Sequence, residues 1–258
     1  IINIIESVAP LSYQEDWDNS GLQVGNRNAE IKAALLTVDV TESVVNEAIL
    51  LGCDLIISHH PLLFRGLKQL TGSTPQERCV EQAIRHNIAI YSAHTSMDSY
   101  LHGVSGRMAE KLGVDNYRIL IPSAGDMQVG LGVIGELQEA MDNEAFVAHV
   151  ANVFAAPSAP LRWVEGAKKT VKKVAICGGA GAEFVEQAIA QGADAYISAD
   201  FKYHELQSAY QRITVVDMDH WVSEHFTREI FEELLSAHVT TYIAKTDDSP
   251  VRFWKQEY

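Results

Sequence analysis

The sequence has few cysteines, no long apolar run and a deficit of basic residues. Three cysteines in 258 residues are too few and too scattered for a disulfide framework, and an odd number would leave one unpaired in an oxidising compartment. No apolar run approaches the roughly 20 residues of a membrane span. The first residues also lack the basic-then-apolar order of a secretory signal. We therefore expect a soluble, cytoplasmic protein.

The charge balance bears on the class of partner. Lys and Arg total 20 against 34 Asp and Glu, which gives a formal net charge of -14. This is the wrong sign for a protein whose whole surface grips phosphate backbones, so nucleic acid is disfavoured as a partner, although a local basic patch stays open. With 47% hydrophobic residues, the chain can bury one substantial core or two modest ones.

Short apolar runs rich in β-branched residues alternate with amphipathic stretches, which is the pattern of an α/β protein. A strand is predicted near 33–39, a helix from Thr41, and a strand ending at Ser58. A further helix is predicted from Thr74, where Thr can cap and Pro75 suits the first helical position. It leads into a strand that ends just before His94.

The chain contains an internal similarity at a constant offset of 140 residues. Residues 45–58 (VNEAILLGCDLIIS) and 185–198 (VEQAIAQGADAYIS) share seven of fourteen positions without a gap. Any helix-Gly-strand unit has some likeness of this kind, but the shared Asp54/Asp194 and Ser58/Ser198 favour a duplication. We predict two similar α/β lobes. The first comprises 1–122 with 226–258, and the second comprises 123–225.

Histidines and carboxylates follow the predicted strands of both lobes. His59-His60 comes directly after one strand, and His94-x-x-x-Asp98 and His220-x-x-x-Glu224 follow two others. Ligands bind at this edge of open α/β sheets. His220 and Glu224 would share one helical face, whereas residues 95–97 are predicted to form a loop.

These residue types indicate a metal site. Adjacent residues leaving a strand point in opposing directions, so His59 and His60 suit two neighbouring ions better than one. Imidazoles with carboxylates suit zinc, iron, manganese or cobalt, and the lack of a cysteine ligand argues against copper(I) and structural thiolate zinc. A lone His-His pair is more often a surface or capping feature, but three such elements at strand ends favour the metal interpretation.

The sequence resembles the NIF-three-like family of dinuclear-metal proteins, also called GTP cyclohydrolase 1 type 2 homologues. The matching segments are WDNSGLQVG (17–25), SHHPLLF (58–64), SAHTSMD (92–98), SADFKYHE (198–205) and DMDHWVSEH (217–225).

The resemblance implies a ligand set and an assembly. The implied metal ligands are His59, His60, Asp98, His220 and Glu224, with Glu224 bridging two divalent ions, for which zinc, iron and manganese are the leading candidates. It also implies that the two α/β lobes face each other across the dinuclear metal site, and that the subunits form a toroidal homohexamer. Asp219 departs from the family, which usually has Gly there, and could lie beside the metal ligands or point to solvent. The segment 123–163 is too short for the extra domain of longer members.

Further polar residues surround the predicted ligands. His94 is a candidate proton shuttle or partner of a ligand. Asp200 and His204, and Asp18-Asn19 in the WDN turn, could orient a ligand or meet the substrate; the alternative for Asp18-Asn19 is an Asx turn. The glycine-rich turn CGGAGAEF (177–184) could hold an anion or be only a tight connection.

Two close ions can lower the pKa of a bridging water and clamp a substrate oxygen. The leading hypothesis is therefore a metal-dependent hydrolase of the GTP cyclohydrolase 1 type 2-like kind, acting on a small nucleotide-like substrate through a metal-bound water. The alternative is a non-enzymatic metal-binding or regulatory ring that docks protein or nucleic acid.

Overall fold

The computed structural model describes residues 1–123, 126–154, 161–247 and 249–252. Its contacts divide the chain into two compact units. The first contains Ile1–Ser99 with 225–247, and the second contains Tyr100–Glu224 with 249–252. Residues 100–122, which the sequence analysis assigned to the first lobe, fall in the second unit.

Helices and strands alternate through both units, as expected for an α/β protein. The helices are α1 (Ile2–Val8), α2 (Glu42–Leu51), α3 (Pro75–Arg85), α4 (Thr95–Asp98), α5 (Val104–Leu112), α6 (Asn143–Phe154), α7 (Val185–Ala190), α8 (Tyr203–Ala209), α9 (His220–Glu224) and α10 (Thr227–Leu235). The strands are β1 (Gly21–Val24), β2 (Ala33–Thr37), β3 (Leu55–Ser58), β4 (Ala89–Ser92), β5 (Val114–Ser123), β6 (Asp126–Asp142), β7 (Arg162–Val164), β8 (Thr170–Ala180), β9 (Ala195–Ala199), β10 (Thr214–Met218) and β11 (Thr240–Ile243). Among the described residues, no helix has the length and apolar character that crossing a membrane requires.

The first unit is built on a five-stranded sheet in the order β1-β4-β3-β2-β11. Strands β4, β3, β2 and β11 are parallel to one another, and β1 runs antiparallel on the edge beside β4. Strand β3 is buried along its whole length, which explains its uninterrupted LIIS sequence. The register pairs Thr37 with Ser58 and Ser58 with Ser92. The residues that follow these three strands therefore emerge side by side at one edge of the sheet.

The second unit has a six-stranded sheet in the order β5-β6-β8-β9-β10-β7. Strands β8, β9 and β10 are parallel, while β5, β6 and β7 pair antiparallel with their neighbours. Parallel strands connected by helices place their carboxyl ends together. His220 follows β10 at that edge.

The two segments of the internal similarity adopt the same local structure within their own units. Each is a helix that ends at a left-handed glycine, Gly52 at φ +67° and Gly192 at φ +76°, before a buried parallel strand. Asp54 Oδ2 accepts hydrogen bonds from the backbone N–H groups of residues 32 and 33, at 2.8 and 3.2 Å. Asp194 Oδ2 accepts them from residues 172 and 173, at 3.0 and 2.8 Å. The shared aspartate therefore ties each strand to the start of its neighbour.

The three cysteines are buried. Cys53 and Cys177 pack in the apolar cores of the first and second unit, as small core residues are expected to do. Burial raises the pKa of the Cys53 and Cys79 thiols to about 11. Both thiols are therefore protonated at neutral pH and are poor nucleophiles.

Candidate metal centre

Three histidines converge at the carboxyl edge of the first unit's sheet. The backbone N–H groups of His59 and His60 donate to the carbonyl oxygens of Thr37 and Val38, at 3.2 and 2.9 Å. The ring centroids of His59 and His60 are 5.1 Å apart, and His94 lies 5.3 and 5.4 Å from them. One ligand nitrogen from each ring can be chosen so that all three lie within 4.8 Å of one another. The strand register thus brings His94 next to His59 and His60, although His94 follows His60 by 34 residues along the chain.

Each of these imidazoles is held through its Nδ1 atom. His59 Nδ1 lies 3.0 Å from the carbonyl oxygen of Ala93, and His60 Nδ1 lies 2.9 Å from Asp39 Oδ1. His94 Nδ1 lies 2.8 Å from Asp18 Oδ1. An oxygen acceptor keeps the proton on Nδ1, so the Nε2 lone pair of a neutral ring is available to a metal ion. Metal-ligating histidines are commonly oriented in this way.

Asp98 contributes a carboxylate to the same unit. Its Oδ1 lies 3.7 Å from Nε2 of the fully buried His59. Residues 95–98 form the single-turn helix α4, so the predicted loop at 95–97 is wrong. The reason is a tertiary contact, because Asp18 Oδ2 accepts hydrogen bonds from the backbone N–H and the hydroxyl of Thr95, at 3.0 and 2.6 Å. A distant aspartate therefore caps the turn that carries Asp98.

Asp18 is a buried carboxylate with several donors. Burial alone would raise its pKa, but hydrogen bonds from His94, Thr95 and Ser20 outweigh burial and hold the pKa well below the usual range. Asp18 is therefore ionised at neutral pH and orients the His94 ring. The neighbouring Asn19 side chain donates to the carbonyl oxygen of Leu63 at 2.7 Å, and its backbone N–H donates to Asp18 Oδ1 at 2.7 Å. The WDN turn thus reaches the site through Asp18, while Asn19 ties two loops together.

The second unit carries a histidine and a glutamate of its own on helix α9. His220 Nε2 lies 3.0 Å from Oε2 of the buried Glu224, as the predicted one-turn spacing requires. His220 Nδ1 lies 2.7 Å from Asp200 Oδ2. Asp200 has a φ of +61°, a left-handed conformation that an aspartate adopts only at a cost and that often marks a functional position. His204 bonds instead to Gln207 within helix α8, at 3.3 Å between Nδ1 and Oε1.

Asp219 and the glycine-rich turn both act on helix α9. Asp219 Oδ1 accepts from the backbone N–H of Val222 at 3.2 Å, so this carboxylate caps the helix that carries His220. The backbone N–H of Gly179 donates to Ser223 Oγ at 2.9 Å. A Cβ atom on Gly179, whose φ is +65°, would lie 2.1 Å from Glu224 Oε1. The turn is therefore a tight connection, and the lack of a side chain at Gly179 leaves room for the Glu224 carboxylate beside it.

In each unit a cavity of about 460 Å³ lies beside candidate ligands. The first cavity lies beside His60 and Asp39. The second is lined by residues that include Arg162, Asp217 and His220. Burial raises the pKa of Asp217 above its usual value, although the Arg162 guanidinium opposes this shift. These cavities leave room for a small molecule next to candidate ligands.

The donor set fits a divalent transition metal. It consists of imidazoles that present Nε2, with carboxylates beside them, which suits zinc, iron or manganese. The sequence analysis missed Asp39, the partner of His60. Its signal was a polar residue just beyond β2, next to the strand that precedes His59-His60.

The chain is similar to a family of known proteins. A model of the Duf34/NIF3 (NGG1p interacting factor 3) family matches residues 1–250. A Clostridium perfringens protein named GTP cyclohydrolase 1 type 2 homolog is 34% identical over 258 residues, covering 98% of each chain. A Clostridium acetobutylicum protein of the same name is 34% identical over 226 residues, covering 87% of this chain and 84% of the relative.

Solved structures show the same fold. A Bacillus cereus protein related to NIF3 superposes with a TM-score of 0.87 at 25% identity, covering 98% of both chains. Reduced HcgD from Methanocaldococcus jannaschii superposes with a TM-score of 0.78 at 28% identity, covering 93% of this chain and 94% of that one. The chain belongs to the Duf34/NIF3 family.

Proposed function

We propose that this protein is a metal-dependent hydrolase that acts on a small, nucleotide-like substrate. The observation that carries the proposal is the set of three imidazoles in the first unit, each held at Nδ1 by an oxygen acceptor. The relatives' name, GTP cyclohydrolase 1 type 2 homolog, supports the substrate class.

The proposed ligands of two divalent ions are His59, His60, Asp98, His220 and Glu224, with Glu224 bridging. Zinc-type sites use three or four protein ligands. His220 and Glu224 are too few for a complete site of their own, which favours their sharing a centre with the histidines of the first unit. Their setting supports the same assignment, because Asp200 holds His220 at Nδ1 as Asp39 holds His60.

Two divalent ions in this centre would activate water and polarise a substrate oxygen for hydrolysis. The protein's own contribution is proton handling at His94. The ionised Asp18 carboxylate keeps the His94 Nδ1 proton in place, so Nε2 can accept a proton and later return it. The His94 side chain is 16% exposed, which allows it to meet a substrate or solvent.

The proposal extends to assembly and origin. We infer a closed homohexameric ring, a cytoplasmic location, and a duplication that produced two lobes facing the metal centre. The equivalent roles of Asp54 and Asp194 support the duplication. Light scattering over a dilution series tests the ring, and a stable monomer that retains both ions would contradict it.

A non-enzymatic ring that docks a macromolecule is the second candidate. The family's description as an NGG1p interacting factor favours protein binding. The two candidates differ in turnover, since a docking ring needs no reaction at its metals.

The test measures the hydrolysis of GTP, ATP, UTP, simple phosphate esters and simple amides by the protein after chelation and after reloading with metal. Chelation should abolish turnover, and one defined metal should restore it. His94→Gln should slow turnover about 10²- to 10⁴-fold while the bound metal is retained, and the exposed His238 provides the matched control His238→Gln. Protein loaded with two ions that turns over no compound would favour the docking ring.

A further inference from the structure

Two exposed aromatic side chains stand beside the candidate metal centre. Trp17 is 59% exposed and Phe64 is 48% exposed. Their ring centroids are 5.9 Å apart, with a 59° angle between the ring planes. Both contact the His94 ring, Trp17 at 5.9 Å and Phe64 at 6.5 Å between centroids. We call this pair the aromatic corner.

The aromatic corner is held in place by polar contacts on the Trp17 side. The backbone N–H of Glu15 donates to Thr95 Oγ1 at 2.9 Å, and Asp18 accepts from His94 and Thr95. Trp17 therefore lies between two residues that are tied to the loop carrying His94. Its exposure does not result from a loose chain.

Contacts of the two preceding residues, Leu62 and Leu63, hold Phe64 in place. The backbone N–H of Leu63 donates to Gln23 Oε1 at 3.1 Å, and its carbonyl oxygen accepts from the Asn19 side chain at 2.7 Å. Leu62 and Leu63 pack against the core of the first unit. The chain thus partly buries the two leucines against the core and leaves the next side chain, Phe64, at the surface beside Trp17.

We propose that the aromatic corner is a substrate subsite that stacks the planar heteroaromatic ring of the substrate next to His94. This inference rests on the proposed function and narrows it to ring-bearing substrates. Exposed aromatic faces on fixed loops stack planar rings of any base type, because every base has a π-face. The corner is continuous with His94, so a ring stacked there lies next to the group assigned to proton transfer.

The separation of the two rings defines how the occupant binds. Centroids 5.9 Å apart leave no space for a ring between them, since two carbon–carbon contact distances of about 3.5 Å need about 7 Å. The substrate ring therefore lies on the outer face of Trp17 or Phe64. Removing either residue should weaken binding without removing a metal ligand.

The experiment measures affinity by calorimetry on metal-loaded protein, with no need for turnover. The ring-bearing probes, which carry a planar heteroaromatic ring, are GTP, ATP, UTP and FMN. The ring-free probes, which lack a heteroaromatic ring, are inorganic triphosphate and ribose 5-phosphate. Trp17→Leu and Phe64→Leu should weaken at least one ring-bearing probe about fivefold to a hundredfold and leave the ring-free probes unchanged. Trp17→Phe should retain most of the affinity. Leu50→Ala, at a residue 86% exposed, is the matched control for loss of an exposed apolar side chain.

Several results would overturn the subsite. The first is that all variants bind the ring-bearing probes with the same affinity, and the second is that the wild-type protein binds none of these probes. The others are that the Trp17→Leu or Phe64→Leu variant loses metal without a change in probe affinity, or changes only its oligomeric state. Turnover confined to ring-free compounds and sensitive to chelation would refute the subsite while the hydrolase stands. Weakened ring binding in Trp17→Leu without any turnover would support the subsite while the hydrolase fails.

Discussion

Replacing Gly179 with alanine should damage the metal centre through a carboxylate that is distant in sequence. The new Cβ would lie 2.1 Å from Oε1 and 3.1 Å from Cδ of Glu224. The Glu224 side chain is buried and its Oε2 pairs with His220 Nε2 at 3.0 Å, so it cannot simply swing into solvent. The carboxylate must move by about 1 Å to reach an ordinary contact distance.

This substitution has two effects, one on the stability of the fold and one on metal affinity. Alanine at φ +65° costs about 1–2 kcal/mol of unfolding free energy, which lowers the Tm by about 2–8 °C in a chain of this length. Displacement of the carboxylate should weaken metal binding about 10- to 100-fold, as loss of a supporting contact typically does.

Gly192→Ala is the matched control for the backbone effect. Gly192 has a φ of +76°, and a Cβ there would meet nothing within 4 Å. As metal-free proteins both variants should have a lower Tm, with the larger fall in Gly179→Ala because its Cβ also clashes with Glu224. Only Gly179→Ala should lose metal affinity in competition with a chromophoric chelator. Wild-type metal affinity in Gly179→Ala would refute the assignment of Glu224 as a ligand seated by this turn.

Other substitutions test the ligand set, the Asp18–His94 dyad and the stability in acid. Elemental analysis should find up to two ions per wild-type chain and none in Glu224→Ala, because a bridging carboxylate belongs to both coordination shells, whereas His59→Ala should chiefly lose one. Asp18→Asn should slow turnover about 10²- to 10⁴-fold with metal content kept, and an unchanged rate would exclude the dyad. Burial alone would raise the pKa of Asp194, but bonds from Lys168, Lys173 and Lys172 hold it below the usual value. Asp194 therefore stabilises the folded state above about pH 4 and loses this contribution as the pH falls further. Asp194→Ala should lose about 1–3 kcal/mol at pH 7, and denaturant unfolding should show the gap to wild type closing below pH 4; a constant gap would contradict the assignment.

The sequence alone predicted the elements and most candidate residues near the centre. Continuous apolar runs indicate buried strands, and capping residues indicate helix starts. Strand β3 and the start of α3 after Thr74 were therefore predictable. The one-turn spacing placed His220 and Glu224 on one helical face. Polar residues just after a strand are local signals as well, which is why His59, His60 and His94 could be named. The proposed joining of these residues into one dinuclear centre rests on the family and stays a prediction.

Only the tertiary structure decided which oxygen atom binds Nδ1 of each histidine and which residues position the Asp98 and Glu224 carboxylates. Asp39 meets His60, and Asp18 caps the turn that carries Asp98 from 80 residues away. The left-handed Gly179 allows Glu224 to approach the backbone closely. Such contacts depend on strand register and on close approach between distant segments. Sequence patterns record periodicity and local propensity, and they carry no information on which distant side chains meet.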